Sequence, residues 1–172
     1  MDSGVLQSLA PLHDDSYGWA LACCDWQRDL AEDILQEAYL RVSDGRARFA
    51  QQSTLRTWFF GVIRRVAQEQ RRQQQRSSLL GLRLLNETEV AADGQGSQDS
   101  IYEDGSVRQL QAALGQLPMR QREVLHLVFY SDLTLEEVAQ TLQVSIGSAR
   151  THYHRGKQRM AKLLRGSHDA QG

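Results

Sequence analysis

The stretch that most constrains the fold is residues 134–162, where the sequence predicts a short helix, a tight turn and a longer basic helix. Thr134 and Glu137 have the spacing of a capping box, in which a hydroxyl and a carboxylate satisfy backbone N–H groups at the start of a helix. The small Ala139 lets a second helix cross closely, residues 143–144 make the turn, and Ser145 can cap the helix that follows. This order of elements predicts a helix-turn-helix unit.

The second helix of this unit combines an apolar face with an opposite face that is rich in hydrogen-bond donors. The apolar positions recur at helical spacing: Ala149, Tyr153, Gly156, Met160 and Leu164. Residues 145–165 include no acidic residue and six basic ones: Arg150, Arg155, Lys157, Arg159, Lys162 and Arg165. Phosphates attract such charge, and hydroxyl, imidazole and guanidinium groups reach base edges in a major groove. A solvated amphipathic helix is the alternative, but the cap, the short turn and the hydroxyl-bearing front favour DNA recognition. The predicted duplex contacts are Ser145, Ser148, Arg150, Thr151, His154 and Arg155.

Residues 117–160, reading LPMRQREVLHLVFYSDLTLEEVAQTLQVSIGSARTHYHRGKQRM, resemble the C-terminal DNA-binding domain of bacterial sigma factors, and more narrowly that of the extracytoplasmic-function (ECF) group. The resemblance implies that the predicted duplex contacts read the minus-thirty-five promoter element. One departure is Gln143, where that group often has Gly. Because a side chain in a left-handed turn costs about 1 kcal/mol, we expect the turn to be shaped differently in this chain.

The net charge of −1 conceals a strong segregation of charge along the chain. Residues 1–40 contain eight acidic residues and one basic residue, residues 41–76 contain nine arginines against two acidic residues, and residues 77–106 contain six acidic residues and one arginine. Two basic blocks separated by an acidic one predict two nucleic-acid contacts joined by a segment that avoids nucleic acid. We therefore expect an N-terminal domain over residues 1–76, a linker over 77–106, a helix-turn-helix domain over 107–165 and a tail over 166–172.

Several stretches are expected to have little fixed structure. The first dozen residues should be loose, the small and acidic residues 91–100 should be flexible, and the tail after about residue 165 should be disordered. The leucines of residues 79–85 can form a short helix at the start of the linker.

A helix is predicted over residues 26–42, where Trp26, Leu30, Ile34, Ala38 and Val42 recur every four residues. Another face of this helix carries a mainly acidic and polar stripe made by Asp33, Gln36, Glu37 and Leu40. A solvated surface with an incidental leucine is the usual explanation of such a stripe. However, LAEDILQEAYLRV is similar to the sigma-factor segment that docks on the largest polymerase subunit. The resemblance implies that these four residues contact the RNA polymerase core.

From Leu55 the spacing is again helical, with one apolar side made by Leu55, Trp58, Phe59, Val62, Ile63 and Val66. The other side carries Arg56, Phe60, Arg64, Arg65 and Arg72. Arginines beside an aromatic ring suit single-stranded DNA, because guanidinium groups hold the backbone and rings take unstacked bases. A core helix with a solubilising arginine face is the alternative, and the residues alone do not decide between the two.

The segment STLRTWFFGVIRRVAQEQRR resembles the sigma-factor region that melts the minus-ten element. The resemblance implies that the preceding loop reads a flipped base through Phe49, Ala50, Gln51, Gln52 and Ser53, and that Arg56, Phe60, Arg64, Arg65 and Arg72 line the path of the strand. The family commonly has Asn at position 65 and Asp at position 69, where this chain has Arg65 and Glu69. The added charge of Arg65 predicts greater strand affinity and a different base preference.

These features predict an all-α protein of two small helical domains joined by a flexible linker, acting as an ECF-type sigma factor. Its predicted partners are RNA polymerase core, promoter DNA and, by resemblance, an anti-sigma factor that holds it inactive. The alternative is a one-component transcription regulator with a sensory N-terminal half, which predicts dimers and a palindromic site. A sigma factor is expected to be monomeric when bound to polymerase.

Enzymatic activity, a cofactor and a metal site are not expected. His152 and His154 are two residues apart on a helix and point in different directions, and no phosphate-binding loop or nucleophile motif occurs. The adjacent Cys23 and Cys24 are expected to be idle cytosolic thiols, with a redox sensor as the minor alternative. No apolar run approaches the length of a membrane span, so we expect a cytoplasmic protein without membrane insertion.

Overall fold

The computed structural model of the chain describes residues 3–84 and 105–169, and all regular elements in these two ranges are helical. In chain order they are α1 (Ser3–Leu9), a 3-10 turn (Ala10–Leu12), α2 (His13–Cys23), α3 (Arg28–Ser43), α4 (Leu55–Leu84), α5 (Gly105–Gly115), α6 (Met119–Phe129), α7 (Leu135–Leu142) and α8 (Ile146–Asp169). Helices α1–α4 form an N-terminal half and α5–α8 form a C-terminal half. The prediction of an all-α chain with two helical domains is confirmed.

The N-terminal half packs α2, α3 and α4 around the apolar positions that helical spacing predicted. The buried positions on α3 and α4 include Ile34, Ala38, Val42, Phe59, Val62, Ile63 and Val66. Trp26, which was predicted to begin α3, instead lies before it with a φ of 60°. Its N–H donates to Leu21 O at 2.9 Å, so the chain turns sharply between α2 and α3. The predicted start of α3 is therefore wrong by two residues.

Three helices extend beyond the predicted limits. The first residues form α1, and Leu9 is completely buried, so the prediction of a loose N-terminus is wrong over residues 3–12. α4 continues without a break to Leu84, so residues 79–84 of the short helix predicted over 79–85 are the end of α4. α8 reaches Asp169, which makes part of the predicted tail helical. Residues 85–104, with the predicted flexible segment, and 170–172 lie outside the described residues.

The helix-turn-helix unit is capped at both starts as predicted. Glu137 N–H donates to Thr134 Oγ1 at 3.2 Å and Thr134 N–H donates to Glu137 Oε2 at 2.8 Å, which completes the capping box. Ser145 Oγ accepts from Ser148 N–H at 3.1 Å and caps α8. Gln143 has φ 53° and ψ 48°, the left-handed conformation that glycine favours. The expectation of a differently shaped turn is therefore wrong, because Gln143 adopts the strained conformation instead.

Close packing of α8 on α6 depends on a glycine in the predicted apolar face. A Cβ on Gly156 would lie 3.2 Å from Leu125 Cγ and 3.3 Å from Gln121 Cβ. Ala149, two helical turns earlier on the same face, is completely buried. The small residues of α8 therefore let this face pack closely on α6. The donor-rich face lies on the opposite side of the helix.

The two halves also pack against each other. α4 contacts α7 and α2 contacts α6, so one cluster of buried residues runs through both halves. Trp19 of α2 illustrates the junction, because its fully buried ring lies 5.6 Å from the ring of His126 in α6. This junction also buries Arg64, one of the predicted site residues.

Candidate nucleic-acid and polymerase interfaces

The donor-rich front of α8 is exposed, as a helix that enters a DNA groove requires. The exposed residues include all six predicted duplex contacts: Ser145, Ser148, Arg150, Thr151, His154 and Arg155. Thr151 Oγ1 donates to Gly147 O at 3.0 Å, which leaves its lone pairs free to accept from a base or a bridging water. The structure brings these residues onto one face, and their base contacts stay a prediction.

The loop between α3 and α4 presents part of the predicted base-reading segment. Ala50, Gln51 and Gln52 are exposed, whereas Phe49 and Ser53 are half-buried. The ring of Phe49 packs on Trp58 with centroids 5.2 Å apart, so the loop is anchored to α4 by an aromatic contact. Gln51 has a φ of 57°, which marks the tip of the loop as a tight turn.

Two residues that were predicted to line the strand path are buried, Phe60 against α2 of the same half and Arg64 at the junction with the C-terminal half. Phe60 is fully buried, with its ring 6.1 Å from that of Trp19, whose Nε1 donates to Phe60 O at 3.0 Å. Arg64 is 5% exposed, and its Nε donates to Glu123 Oε1 of α6 at 2.9 Å. Neither side chain reaches solvent in this conformation.

The remaining predicted strand contacts differ in accessibility. Arg56 is half-buried, donates to Asp15 Oδ2 at 2.7 Å and lies 5.5 Å from the centre of the Phe60 ring. Arg65 and Arg72 are exposed on the surface of α4. The accessible cationic surface of α4 thus includes Arg65, the arginine that departs from the family pattern.

The predicted polymerase surface on α3 is accessible and borders a groove. Asp33, Gln36 and Leu40 are exposed, and Leu40 keeps 51% of its surface. Gln36 and Leu40 line a groove of about 720 Å³ together with Leu6, His13, Tyr17, Glu32, Leu35, Tyr39 and Ser43. An acidic rim beside an apolar groove suits a basic amphipathic helix.

Glu37, the fourth residue of the stripe, is engaged within the protein. Its Oε1 accepts from Arg41 Nε at 2.8 Å and from Arg46 Nη1 at 3.0 Å. Arg41 also donates to Glu69 Oε2 at 2.6 Å, which ties α3 to α4. The hydrogen bond from Arg41 holds the pKa of both carboxyl groups below the ordinary glutamate value. Glu69, the second departure from the family pattern, therefore orients Arg41 on the surface.

Sequence reasoning missed the residues of the junction between the halves. They are Trp19, Asp25, Arg122, Glu123 and His126. The sequence of α6 contained a signal for this junction, because Arg122 and Glu123 directly precede the apolar residues 124 and 125. All four residues are buried, and buried charged groups need charged partners from another part of the chain. His126 is 8% exposed, and burial lowers its pKa to about 4.

The thiols and histidines do not form a reactive or metal-binding group in the described ranges. Cys23 and Cys24 are free and buried; burial raises the pKa of Cys24 to about 12 and that of Cys23 well above its usual value. Such thiols stay protonated and unreactive at neutral pH. Within residues 3–84 and 105–169 there is no cluster of three metal-binding side chains. No helix in these ranges is sufficiently long and apolar to span a membrane.

Comparison with known proteins relates both halves to a single family. Residues 13–77 match the family described as "Sigma-70 region 2", and residues 107–160 match "Sigma-70, region 4". The ECF RNA polymerase sigma factor SigX of Bacillus subtilis (strain 168) is 33% identical over 140 residues, which cover 80% of this chain and 72% of SigX. SigW of the same organism is 25% identical over 141 residues, covering 78% of this chain and 75% of SigW.

A solved structure shares the fold. The sigma factor RpoE of Bartonella quintana, determined in complex with the anti-sigma factor NepR, superimposes with a TM-score of 0.73. The match covers 92% of this chain and 95% of RpoE at 22% sequence identity. At that identity the likeness establishes the helical architecture.

Proposed function

The chain belongs to the ECF group of the sigma-70 family, and from this premise we propose that it binds RNA polymerase core and directs it to specific promoters. The observation that carries the proposal is the presence of region 2 and region 4 matches in the family order on one chain, with the donor-rich face of α8 exposed. A one-component regulator would need a sensory N-terminal half, whereas residues 13–77 match sigma region 2.

The C-terminal half would read the minus-thirty-five element through the front of α8. Positive charge without a nearby acid draws the helix to phosphates, and the serine, threonine, histidine and arginine side chains reach base edges. The N-terminal half would hold the opened minus-ten strand along α4 and the loop of residues 49–53. Captured bases and neutralised phosphates would supply the free energy of strand separation.

The stripe on α3 would dock on the polymerase core. Asp33 supplies exposed negative charge for steering, and Leu40 with the adjoining groove supplies apolar area to bury. The protein would act as a monomer with polymerase in the cytoplasm and would catalyse no covalent step itself. Because RpoE was solved with the anti-sigma factor NepR, an anti-sigma partner for this chain is part of the proposal.

Run-off transcription with purified polymerase core and fragmented genomic DNA tests this function. Core alone should give no defined start sites, and core supplemented with the chain should give discrete transcripts whose starts share two dissimilar upstream elements. Transcripts that are the same with and without the chain would refute the proposal. A shared palindrome would instead indicate the regulator.

A further inference from the structure

The loop that joins α3 to α4 begins with a tight turn that is hydrogen-bonded back to α3. Ala47 N–H donates to Arg41 O at 2.7 Å, so the chain folds back on the last turn of the helix. Gly45 has a φ of 78°, a conformation that glycine adopts without steric cost. The start of the loop is therefore fixed to α3 through its backbone.

An ion-pair network fixes the same part of the loop through its side chains. Arg46 Nη1 donates to Glu37 Oε1 at 3.0 Å, and Arg46 Nε donates to Asp44 Oδ2 at 2.6 Å. Glu37 Oε1 also accepts from Arg41 Nε at 2.8 Å, and Arg41 Nη2 donates to Glu69 Oε2 of α4 at 2.6 Å. Three carboxylates hold two guanidinium groups, so the network ties the loop to both helices.

The base-reading segment (residues 49–53) follows directly and is also anchored to α4. The ring of Phe49 packs on Trp58 with centroids 5.2 Å apart, and Thr54 Oγ1 accepts from Thr57 N–H at 3.1 Å and caps α4. Residues 50–52 are exposed between these contacts. Anchors on both sides restrict the conformations of the exposed residues before a base arrives, so less conformational entropy is lost on binding.

Glu37 connects α3 to this loop, and its carboxylate is already engaged. Its side chain is 29% exposed, and its Oε1 accepts two charge-assisted hydrogen bonds from arginines of this chain. A cation from polymerase would have to compete with both. Asp33 of the same stripe is exposed and has no ion-pair partner among the described residues, so its charge is available to polymerase.

We propose that Glu37 is a positioning residue for the base-reading segment, that it acts through Arg46, and that the preference of the segment for one base depends on this ion pair. The inference rests on the proposed function, because it assumes that residues 49–53 read a flipped base. The other residues of the α3 stripe keep the polymerase contact. Recognition of a base requires donors and acceptors held to within about 0.5 Å, so a loop released at one end distinguishes bases less well.

The test measures base preference with polymerase core and a promoter library whose minus-ten region is randomised and whose templates each carry a transcribed barcode. Alanine substitution of Gln51 and Gln52 at the loop tip identifies the promoter position that the segment reads. Glu37→Gln is compared with Asp29→Asn, which also removes one negative charge from α3 but lies in its exposed first turn, outside the network. At that position E37Q should lower the preference for the best base by about 3-fold relative to D29N, with the other positions unchanged.

Arg46→Ala supplies an independent variant that decides the matter alone if circular dichroism shows E37Q to be unfolded. The side chain of Arg46 is 54% exposed on the loop, so its removal leaves the core intact. R46A should relax the same promoter position, and E37Q should add no further change in the R46A background, because both variants remove one ion pair. A uniform loss of transcription from all templates in R46A, with an unchanged base profile, would indicate a phosphate contact and overturn the positioning role.

Capture by immobilised polymerase core distinguishes the two possible roles of Glu37. E37Q and D29N should be captured equally well. Weaker capture of E37Q with the base profile of D29N would make Glu37 a polymerase contact and overturn the proposal.

The same library separates this inference from the proposed function. If wild type with core starts no transcription at defined sites, the function itself fails. If wild type selects a base and E37Q selects it equally well, only the positioning role fails.

Discussion

Replacing His126 with leucine should abolish an acid-dependent loss of stability that the wild-type chain shows between about pH 7.5 and about pH 5. His126 is 8% exposed, and its Nε2 has no hydrogen-bond partner among the described residues. Its ring lies between those of Trp19 and Tyr130, with centroids 5.6 Å and 4.9 Å away. Burial in these surroundings lowers the pKa of His126 from 6.5 to about 4.

The sign follows from the proton count of the two states. Below pH 6.5 the unfolded chain protonates His126, whereas the folded chain keeps it neutral down to a pH of about 4. The unfolded state therefore binds more protons in this window, and stability falls as pH falls. Of the window from about pH 7.5 to about pH 5, roughly 1.5 pH units lie below the ordinary histidine pKa. Each of these units lowers the free energy of unfolding by about 1.4 kcal/mol, so the loss is about 2 kcal/mol. The lowered pKa values of Glu37 and Glu69 act in the same direction, but mainly below 4.5.

Guanidinium denaturation followed by tryptophan fluorescence at the two pH values measures this loss. Wild type and the exposed control His154→Leu should both lose about 2 kcal/mol, while His126→Leu should lose little. Leucine also removes a buried nitrogen without a partner, so at neutral pH the variant should be as stable as wild type or more stable. An equal acid-dependent loss in H126L and wild type would show that the burial argument is wrong.

Three other substitutions test the polymerase surface on α3, the duplex surface on α8 and the turn between α7 and α8. Asp33→Lys should weaken capture of the chain by immobilised polymerase core, whereas Glu136→Lys, a change remote from the α3 stripe, should not. Equal capture of the two variants would show that Asp33 is not part of the interface. Arg155→Ala should weaken minus-thirty-five binding by about 1–3 kcal/mol if the guanidinium contacts a base, and an equal loss on scrambled duplex would indicate a phosphate contact. Gln143→Gly should stabilise the chain by about 0.5 kcal/mol, because relief of about 1 kcal/mol of left-handed strain outweighs the greater backbone entropy that glycine has in the unfolded chain. A melting temperature below that of wild type would contradict this prediction.

Local features of the fold could be predicted from the sequence because their causes are local. The capping box of Thr134 and Glu137 spans four residues, and the apolar positions of α3 and α4 follow from helical spacing. The left-handed turn at Gln143 was mispredicted because the strain of one side chain was weighed without the packing of α7 and α8 on either side. A fixed crossing of two helices can hold a residue in a conformation that it disfavours by about 1 kcal/mol.

The exposed parts of the candidate site could be predicted from the sequence, whereas the burial of Phe60 and Arg64 could not. The exposed front of α8 and the α3 stripe lie where the spacing placed them. Phe60 and Arg64 also share a side of α4, as predicted, but Phe60 packs on Trp19 of α2 and Arg64 is held by residues from α6 and α7. Helical periodicity tells which side chains share a face, and it carries no information about what covers that face.

Helical spacing could not reveal the charged partner of Arg64, because that partner lies far along the chain. A guanidinium that is 5% exposed requires a compensating charge, and Glu123 provides it from a position 59 residues further along the chain. A buried ion pair is often no more stable than an apolar pair of similar volume, but removal of one partner alone leaves an uncompensated buried charge. Arg64 and Glu123 therefore stabilise the contact between the two halves only as a pair.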